Sequence, residues 1–382
     1  MAKFELIATA AFGLESVVAR EIKALGYEDA RVENGKVTFS GDEMAICRAN
    51  IWLRSADRVL VKMGEFKALS FEELFQGTRA LDWPDWLPEN ANFPVQGKSI
   101  ESKLFSVPDC QAIVKKAVVE KMKQRYKRAW FEENGPRYTI EVALLKDIAT
   151  LTIDTTGAGL HKRGYRTLVG QAPLKETLAA ALIDLSRWRE DRVLIDPFCG
   201  TGTIPIEAAM QGLNIAPGLK REFAASAWPN IPERHWQQTR QEANSLIKHD
   251  RELKIIGTDI DGEALSLARH HARLAGVEKH IHLQRLPVSE VKSSFKYGWV
   301  VCNPPYGERL GEQREIEVLY REMSKVFRSL DTWSFYVITP HREFEQIIGK
   351  RADKRRKLYN GRIECQFYQF FGPKPPKKDP VS

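Results

Sequence analysis

Three apolar, strand-like segments in the C-terminal half of the chain each end in a short polar or glycine-rich motif. They are VLIDPFCGTG (193–202), KIIGTDIDG (254–262) and WVVCNPPYG (299–307). Uninterrupted runs rich in β-branched residues are typical of strands buried on both faces, so the pattern predicts an α/β fold with a mostly parallel sheet. A last segment, RKLYNGRIECQFYQFFG (356–372), predicts an antiparallel hairpin around Asn360-Gly361.

The N-terminal part of the chain has a different pattern, in which short strands alternate with helices as in a small α+β layer. We place the domain boundary near Thr155, where a segment rich in glycine, threonine and basic residues begins. In the C-terminal part, Asp259 lies about 57 residues after Gly202, whereas a plain nucleotide-binding unit needs about 20. The excess predicts an insertion from Gly212 to Glu252, containing an exposed segment, FAASAWPNIP (223–232).

Composition excludes several classes of protein. With 43% hydrophobic and 28% charged residues, the chain is typical of globular proteins and unlike disordered ones. There is no apolar run of membrane-spanning length, and Glu5 interrupts the N-terminal apolar stretch, which argues against a signal peptide. Five scattered cysteines without a C-x-x-C pair, and no metal-ligand spacing, predict a cytoplasmic protein without a metal site. The net charge of +8 permits an anionic partner.

The first motif combines a strand, an acidic residue, two glycines and the start of a helix. This is a nucleotide-binding arrangement, because glycines let the backbone approach a ligand closely. The third position of the dinucleotide fingerprint is occupied by Pro205, and Asp196 precedes the turn. A carboxylate there would repel pyrophosphate but attract an ammonium group, which favours S-adenosylmethionine over a dinucleotide.

The second motif ends the next strand with two acids. An acid at the end of the second strand is placed to accept hydrogen bonds from both ribose hydroxyls of an adenosyl group, and we assign this role to Asp259. Asp261 precedes Gly262 and Glu263 and is interpreted as the N-cap of the following helix.

The third motif, Asn303-Pro304-Pro305-Tyr306, predicts methylation of an exocyclic amine. Such a nitrogen is a poor nucleophile because its lone pair is delocalised into the base. The Asn303 side-chain oxygen and the Pro304 carbonyl can accept its hydrogens as it becomes tetrahedral. The prolines have no N–H to compete and stiffen the loop. Tyr306 can stack on a base turned out of its helix.

A dense basic helix predicts nucleic-acid binding in the N-terminal part. The candidate phosphate-binding residues are Lys115, Lys116, Lys121, Lys123, Arg125, Lys127 and Arg128, with Arg163 added from the cluster HKRGYR (161–166).

Taken in order, these motifs resemble the amino-methylating class of S-adenosylmethionine-dependent methyltransferases. Together with ATAAFGLESVVAREIKALGY, KDIATLTIDTTGAGLHKRGYR and QAPLKETLAAAL, they resemble the bacterial THUMP-domain, RlmL-like rRNA guanine-N2 methyltransferases over nearly the whole chain. The resemblance implies a Rossmann-like class I methyltransferase domain behind a ferredoxin-like and THUMP module. The implied divisions are 1–60 ferredoxin-like, 61–156 THUMP, 157–190 linker and upstream helix, 191–372 methyltransferase and 373–382 disordered tail.

The resemblance also implies roles for individual residues. The catalytic loop is Asn303 to Tyr306, and the upstream segment containing Pro173 and Thr177 closes over the methionine end of the cofactor. The remaining cofactor contacts are Asp196, Phe198, Gly200, Gly202, Thr203, Asp259 and Ile260. Many relatives have an acid after the third strand for the adenine amine. This chain has Gln284, Arg285 and Leu286 there, so a backbone carbonyl takes that role.

The preferred activity is therefore methylation of guanine N2 in large-subunit (23S) rRNA, either naked or in an assembly intermediate. Methylation of guanine N2 in tRNA is the nearest alternative, because THUMP and NPPY occur together in both groups. DNA adenine-N6 methylation and a non-catalytic RNA-binding assembly factor are less favoured. The sequence leaves the oligomeric state open.

Overall fold

The computed structural model describes residues 3–166, 174–307 and 312–376, and its contacts divide the chain into two compact units. The first comprises the residues up to Ala10, Val18–Leu160 and Arg221–Glu242. The second comprises Ala11–Val17, His161–Lys220 and the residues from Ala243 onward. None of the helices described in these ranges is long and apolar enough to cross a membrane.

Seven strands of residues 4–154 form one sheet in the first unit. The elements are β1 (Phe4–Ala10), α1 (Glu15–Ala24), β2 (Arg31–Glu33), β3 (Lys36–Gly41), α2 (Glu43–Trp52), β4 (Ala56–Lys67), α3 (Phe71–Ala80), β5 (Val95–Ile100), α4 (Val107–Tyr126), β6 (Thr139–Leu145) and β7 (Ile148–Asp154). The strand order is β2-β3-β1-β4-β7-β6-β5, and only β5 and β6 pair in parallel. The division expected between residues 60 and 61 falls inside β4, which both halves of the sheet share.

Helix α2 has no counterpart in the sequence analysis. Its buried residues lie on most of its surface rather than on one stripe: Ala45, Ile46, Cys47, Ala49, Asn50 and Ile51. A helix enclosed in this way lacks the amphipathic period by which helices are found in a sequence. The one local signal is Asp42, whose side chain accepts a hydrogen bond from the Ala45 N–H as the N-cap.

The second unit contains the mostly parallel sheet. Its elements are α5 (Glu176–Ser186), β8 (Leu194–Asp196), α6 (Thr203–Gly212), β9 (Ile255–Asp259), α8 (Gly262–Ala275), β10 (Ile281–Arg285), β11 (Trp299–Cys302), α9 (Glu312–Ser329), β12 (Ser334–Thr339), α10 (Phe344–Ile348), β13 (Lys354–Asn360) and β14 (Ile363–Phe370). Helix α7 (Glu233–Ser245) lies within the inserted segment, and its residues up to Glu242 belong to the first unit. The order is β10-β9-β8-β11-β12-β14-β13; the first five strands run parallel, and β14 is antiparallel to both neighbours. The predicted α/β fold with an antiparallel C-terminal hairpin is confirmed.

Both faces of this sheet are buried, as the apolar strands predict. In β8, Leu194 belongs to one hydrophobic cluster while Ile195 belongs to the other. The first cluster contains most of α5 and α6, and the second contains α9 residues such as Tyr320 and Met323. No residue of β8, β9, β11 or β12 is exposed, whereas the edge strands β10 and β13 carry exposed polar side chains.

The expectation that residues 223–232 are exposed is wrong. Phe223, Trp228 and Ile231 are all buried, and the segment counts with the first unit. The Trp228 ring stacks on Tyr138 with centroids 4.3 Å apart, and its Nε1 donates to the Arg137 carbonyl at 2.9 Å. Residues 221–242 of the inserted segment are therefore an integral part of the first unit, although in sequence they lie between two strands of the second unit.

We expect Trp228→Ala to lower the free energy of unfolding by about 3–5 kcal/mol, because it removes a large, fully enclosed ring together with its stacking partner's contact. Urea titration measures the change. Trp130→Ala is the matched control, since that ring is 80% exposed, and its effect should stay within about 0.5 kcal/mol. Equal effects of the two variants would contradict the structural role of the inserted segment.

Candidate active site

The loop between β8 and α6 is shaped by two glycines in the left-handed region. Gly200 has φ +50° and Gly202 has φ +85°, and Gly202 is the N-cap residue of α6. A Cβ on Gly202 would approach the Cβ of Ala268 to 3.0 Å, whereas a Cβ on Gly200 would meet no described atom within 4 Å. Gly202 is thus required for packing against α8, while Gly200 borders open space in which a ligand can approach the backbone.

Asp259, at the end of β9, holds two loops together. Its Oδ2 accepts a hydrogen bond from Gly200 N at 2.8 Å, and its Oδ1 accepts one from Asp261 N at 3.0 Å. Asp261 in turn accepts from two N–H groups in the first turn of α8, which confirms it as the N-cap. Ile260, between these two acids, has a 66% exposed side chain. Asp259 and Ile260 therefore lie next to the open space above Gly200.

Asp196 ends β8 and is buried. Its Oδ1 accepts a hydrogen bond from Phe198 N at 3.1 Å. Burial raises the pKa of Asp196 well above its usual range, and the negative charge of Asp259 raises it further, although the Phe198 N–H opposes both. A nearby cation would stabilise the ionised form of a carboxyl group in this environment.

The loop Asn303–Tyr306 follows β11 directly. The Tyr306 hydroxyl donates to Asn303 Oδ1 at 2.6 Å. The same hydroxyl accepts a hydrogen bond from Asn360 Nδ2 at 3.1 Å and one from Cys365 Sγ at 3.7 Å, both in the C-terminal hairpin. Burial raises the pKa of Tyr306 above its ordinary value, so the hydroxyl keeps its proton at neutral pH. The ring is half-buried against the hydrophobic cluster that contains Cys365.

A second tyrosine supports the same loop from α9. Tyr320 donates its hydroxyl to the Pro305 carbonyl at 3.2 Å and is also hydrogen-bonded to Thr339 Oγ1 at 2.9 Å. Burial raises the pKa of Tyr320 to about 12. Since Pro304 is buried and Pro305 is exposed, the loop turns outward at the proline pair, and Tyr320 fixes the carbonyl at that turn.

The sheet topology gathers these groups at one edge. Strand β8 pairs with β9 on one side and with β11 on the other, so the strand order reverses direction there. The carboxyl ends of three parallel strands meet at this point and carry Asp196, Asp259 and Asn303. Ligands of open α/β sheets bind in the crevice at such a point.

A buried polar network includes Glu207, in the middle of α6. Arg163 Nε is 3.3 Å from Glu207 Oε1, and Tyr165 donates its hydroxyl to the same oxygen at 3.1 Å. The side chain of Arg163 is 1% exposed and that of Glu207 is fully buried. The assignment of Arg163 as an RNA contact is therefore wrong, because a guanidinium enclosed against a carboxylate cannot reach a phosphate.

Arg166 connects the upstream helix to the glycine loop. It donates to Thr203 Oγ1 and to the Leu174 carbonyl at 3.2 Å, and it forms an ion pair with Glu176 at 3.4 Å. Burial raises the pKa of Glu176, an effect that the charge of Arg166 opposes. Thr177, expected near the cofactor, is buried in the first turn of α5. Pro173 lies outside the described residues.

The basic helix α4 carries fewer unpaired charges than its sequence indicates. Four cations are paired with carboxylates: Lys115 with Glu133, Lys121 with Asp82, Lys123 with Glu120, and Arg128 with Glu89. In the described part of the chain, Lys116, Arg125 and Lys127 form no ion pair, and all three are exposed. These three are the phosphate-binding candidates that the structure leaves available.

Sequence reasoning did not find Arg166, Glu207, Tyr320 or Asn360. Glu207 gave one usable signal, since a charged residue within the apolar stretch of α6 is buried only when it is paired. Arg285, the last residue of β10, donates its Nε–H to the Ile260 carbonyl at 2.9 Å.

A glycine-rich loop after the central strand, an acid ending the next strand and this strand order define a class I methyltransferase fold. Family models match three parts of the chain: an RMKL-like methyltransferase domain over residues 163–369, an RlmL ferredoxin-like domain over 5–60 and a THUMP domain over 68–154. The chain belongs to the RlmL-like, THUMP-containing methyltransferase family.

Relatives of similar length support this assignment. The chain is 49% identical over 99% of its length to "Putative RNA methyltransferase YpsC" of Bacillus subtilis, covering 98% of that protein. It is 52% identical, with a TM-score of 0.94, to a Listeria monocytogenes structure described as a predicted N6-adenine-specific DNA methylase, covering 98% of this chain and 97% of that one. It is 46% identical, also with a TM-score of 0.94, to the structure described as "SMU.472, a putative methyltransferase complexed with SAH", covering 98% of this chain and 100% of that one.

We expect Glu207→Gln to lower the free energy of unfolding by about 3–5 kcal/mol, because the buried Arg163 guanidinium would lose the negative charge of this carboxylate. Urea titration measures the change. Glu278→Gln is the matched control: its partner Arg273 is 67% exposed, and breaking an ion pair that solvent screens changes the stability little. A loss in Glu207→Gln no larger than in the control would contradict the buried pair.

Proposed function

We propose that this protein transfers a methyl group from S-adenosylmethionine to the exocyclic N2 of a guanine in large-subunit rRNA. The observation that carries the proposal is the position of Asn303-Pro304-Pro305-Tyr306 at the carboxyl end of β11, beside the glycine loop that follows β8.

The methyl acceptor is inferred from the groups in this loop. Asn303 Oδ1 and the Pro304 carbonyl are acceptors that suit the two hydrogens of a base amine. Both become better partners as the nitrogen turns tetrahedral and gains positive charge, so they stabilise the transition state more than the ground state. The part of the Tyr306 ring that remains exposed can stack on the base, which contributes about 1–3 kcal/mol and offsets a flipping cost of similar size.

The residues around the β8 loop fit the cofactor. Gly200 leaves open space at the backbone, and Asp259 lies at the strand end where ribose hydroxyls are bound in such folds. Asp196 suits the α-ammonium group, because its environment favours a cationic neighbour. Ile260 supplies an exposed apolar surface for the adenine. When bound, the cofactor supplies an electrophilic methyl group on a sulfonium.

The site requires no strong general base if the proton leaves after methyl transfer. Burial raises the pKa of the Cys302 thiol well above its ordinary value, and that of Cys199 is raised in the same direction. Both thiols therefore stay protonated at neutral pH and do not compete with the amine as nucleophiles.

RNA is the favoured substrate because the chain contains a THUMP domain and because the Bacillus subtilis relative is named as an RNA methyltransferase. Lys116 and Arg125 of α4, together with Lys127 directly after this helix, add a phosphate-binding surface in the same part of the chain. The name of the Listeria monocytogenes relative keeps DNA adenine as an outcome to be tested.

The deciding experiment measures methyl transfer from labelled S-adenosylmethionine to 23S rRNA, total tRNA and DNA from cells that lack the protein, followed by nucleoside analysis. We expect N2-methylguanosine in 23S rRNA. N2-methylguanosine in tRNA would show that the substrate is tRNA and that guanine N2 is still the methyl acceptor. N6-methyladenine in DNA would overturn the proposed acceptor.

We expect Asn303→Ala to reduce kcat by about 100-fold or more, because an acceptor that acts mainly in the transition state is lost. Its affinity for S-adenosylmethionine, measured by calorimetry, should change by less than about threefold. In Asp259→Ala, by contrast, we expect weaker binding of S-adenosylmethionine to be the main effect. Full activity in Asn303→Ala would refute the mechanism.

Replacing Lys116, Arg125 and Lys127 together by glutamine should lower RNA affinity and reduce the slope of log K against log salt by about 2, since each phosphate contact to a single strand contributes about 0.7. Fluorescence anisotropy at several salt concentrations measures the slope. The double variant Lys121→Gln, Lys123→Gln removes paired cations and should change the slope less. An unchanged slope in the triple variant would place the RNA surface elsewhere.

A further inference from the structure

The sequence around Asn360 predicts that this residue is part of the hairpin turn, but in the structure it lies just before the turn. It is the last residue of β13 and pairs with Ile363, so the two loop residues are Gly361 and Arg362. Gly361 supplies the positive φ, +63°, that the first position of a tight hairpin loop requires. The Asn360 side chain is therefore free of any role in the turn itself.

That side chain instead reaches the candidate catalytic loop. Asn360 Nδ2 donates to the Tyr306 hydroxyl at 3.1 Å, and Cys365 Sγ, from the same hairpin, donates to it at 3.7 Å. A hydroxyl has one proton and two lone pairs. Asn360 Nδ2 can only donate, and the single S–H of Cys365 also lies 3.7 Å from the Ile363 carbonyl. Asn303 Oδ1, at 2.6 Å, is therefore the strongest acceptor among these three side chains and receives the Tyr306 proton.

This direction of hydrogen bonding determines which end of the Asn303 amide faces the tyrosine. An amide can turn by 180° and exchange its oxygen for its NH₂ group, which would place a donor where the site needs an acceptor. Tyr306 can donate only to the oxygen, so turning the amide would forfeit the short hydrogen bond that the Tyr306 hydroxyl donates to it. A second lone pair on Oδ1 remains for the hydrogen of a target amine.

We infer that Asn360 is a positioning residue, which acts through the Tyr306 hydroxyl to keep the Asn303 oxygen oriented as the acceptor for the target amine. The inference rests on the proposed function for its catalytic meaning, while the hydrogen-bonded chain Asn360–Tyr306–Asn303 stands on the three side chains alone.

The kinetic test uses the full chain with the nucleic acid that accepts methyl groups. Asn360→Ala should lower kcat about tenfold while KM for both substrates stays within about twofold, because orientation matters most in the transition state. Asn360→Asp has the same shape but supplies only acceptors, so it draws the Tyr306 proton away from Asn303 and should lower kcat at least as much. Glu364→Gln, an exposed change in the same hairpin, should leave kcat unchanged.

A double-mutant cycle separates positioning from general support of the hairpin. Tyr306→Phe removes the hydroxyl through which Asn360 acts. Adding Asn360→Ala to Tyr306→Phe should therefore reduce kcat by less than about twofold further. A full tenfold additional loss, or an effect of Asn360→Ala on the KM for nucleic acid alone, would overturn the inference.

A measurement without turnover keeps this test independent of the proposed function. The side-chain amide resonance of Asn303, assigned by its loss in Asn303→Ala, should shift in Asn360→Ala, Asn360→Asp and Tyr306→Phe but not in Glu364→Gln. An unmoved resonance would refute the hydrogen-bonded chain whatever the substrate is. Shifted resonances in a protein that methylates no guanine would instead refute only the proposed function.

Discussion

The candidate site depends on two hydrogen bonds that the Asp259 carboxylate accepts from backbone N–H groups. One oxygen holds the Gly200 N–H and the other holds the Asp261 N–H, so a single side chain couples the loop after β8 to the start of α8. Two charge-assisted hydrogen bonds from backbone groups are stronger than neutral ones. The same carboxylate raises the pKa of the buried Asp196, which ties the geometry of the loop to its electrostatics.

Burial of polar groups recurs around this edge of the sheet. Arg163 with Glu207, and Arg166 with Glu176, form ion pairs in or next to α6. A buried ion pair is weak evidence for net stability, because removing two charges from water costs about as much as their attraction returns. Such pairs do fix positions, since either partner alone would be a buried, uncompensated charge. Arg166 extends this constraint to Thr203 in the first turn of α6.

The loop after β11 is held from outside its own strand. Tyr320, from α9, fixes the Pro305 carbonyl, and the C-terminal hairpin surrounds the Tyr306 hydroxyl with donors. The antiparallel end of the sheet therefore contributes to the site rather than only completing the core. Because these groups come from segments far apart in sequence, the loop has its geometry only when the whole second unit is folded.

The parallel sheet, its terminal hairpin and the Asp261 cap could be predicted from the sequence. So could the motifs Asp196 to Thr203, Asp259 and Asn303 to Tyr306, because the hydrophobic period, the turn residues and the motifs at strand ends are local properties. Helix α2, the burial of Trp228 and the pairing of Arg163 were decided by the tertiary structure. A helix enclosed on most sides has no amphipathic period, and the partners of Trp228 and Arg163 lie far from them in sequence. The role of Asn360 was likewise decided by the tertiary structure. The sequence Asn360-Gly361 predicts a turn, whereas the hydrogen-bond partner of Asn360, Tyr306, lies 54 residues away in sequence.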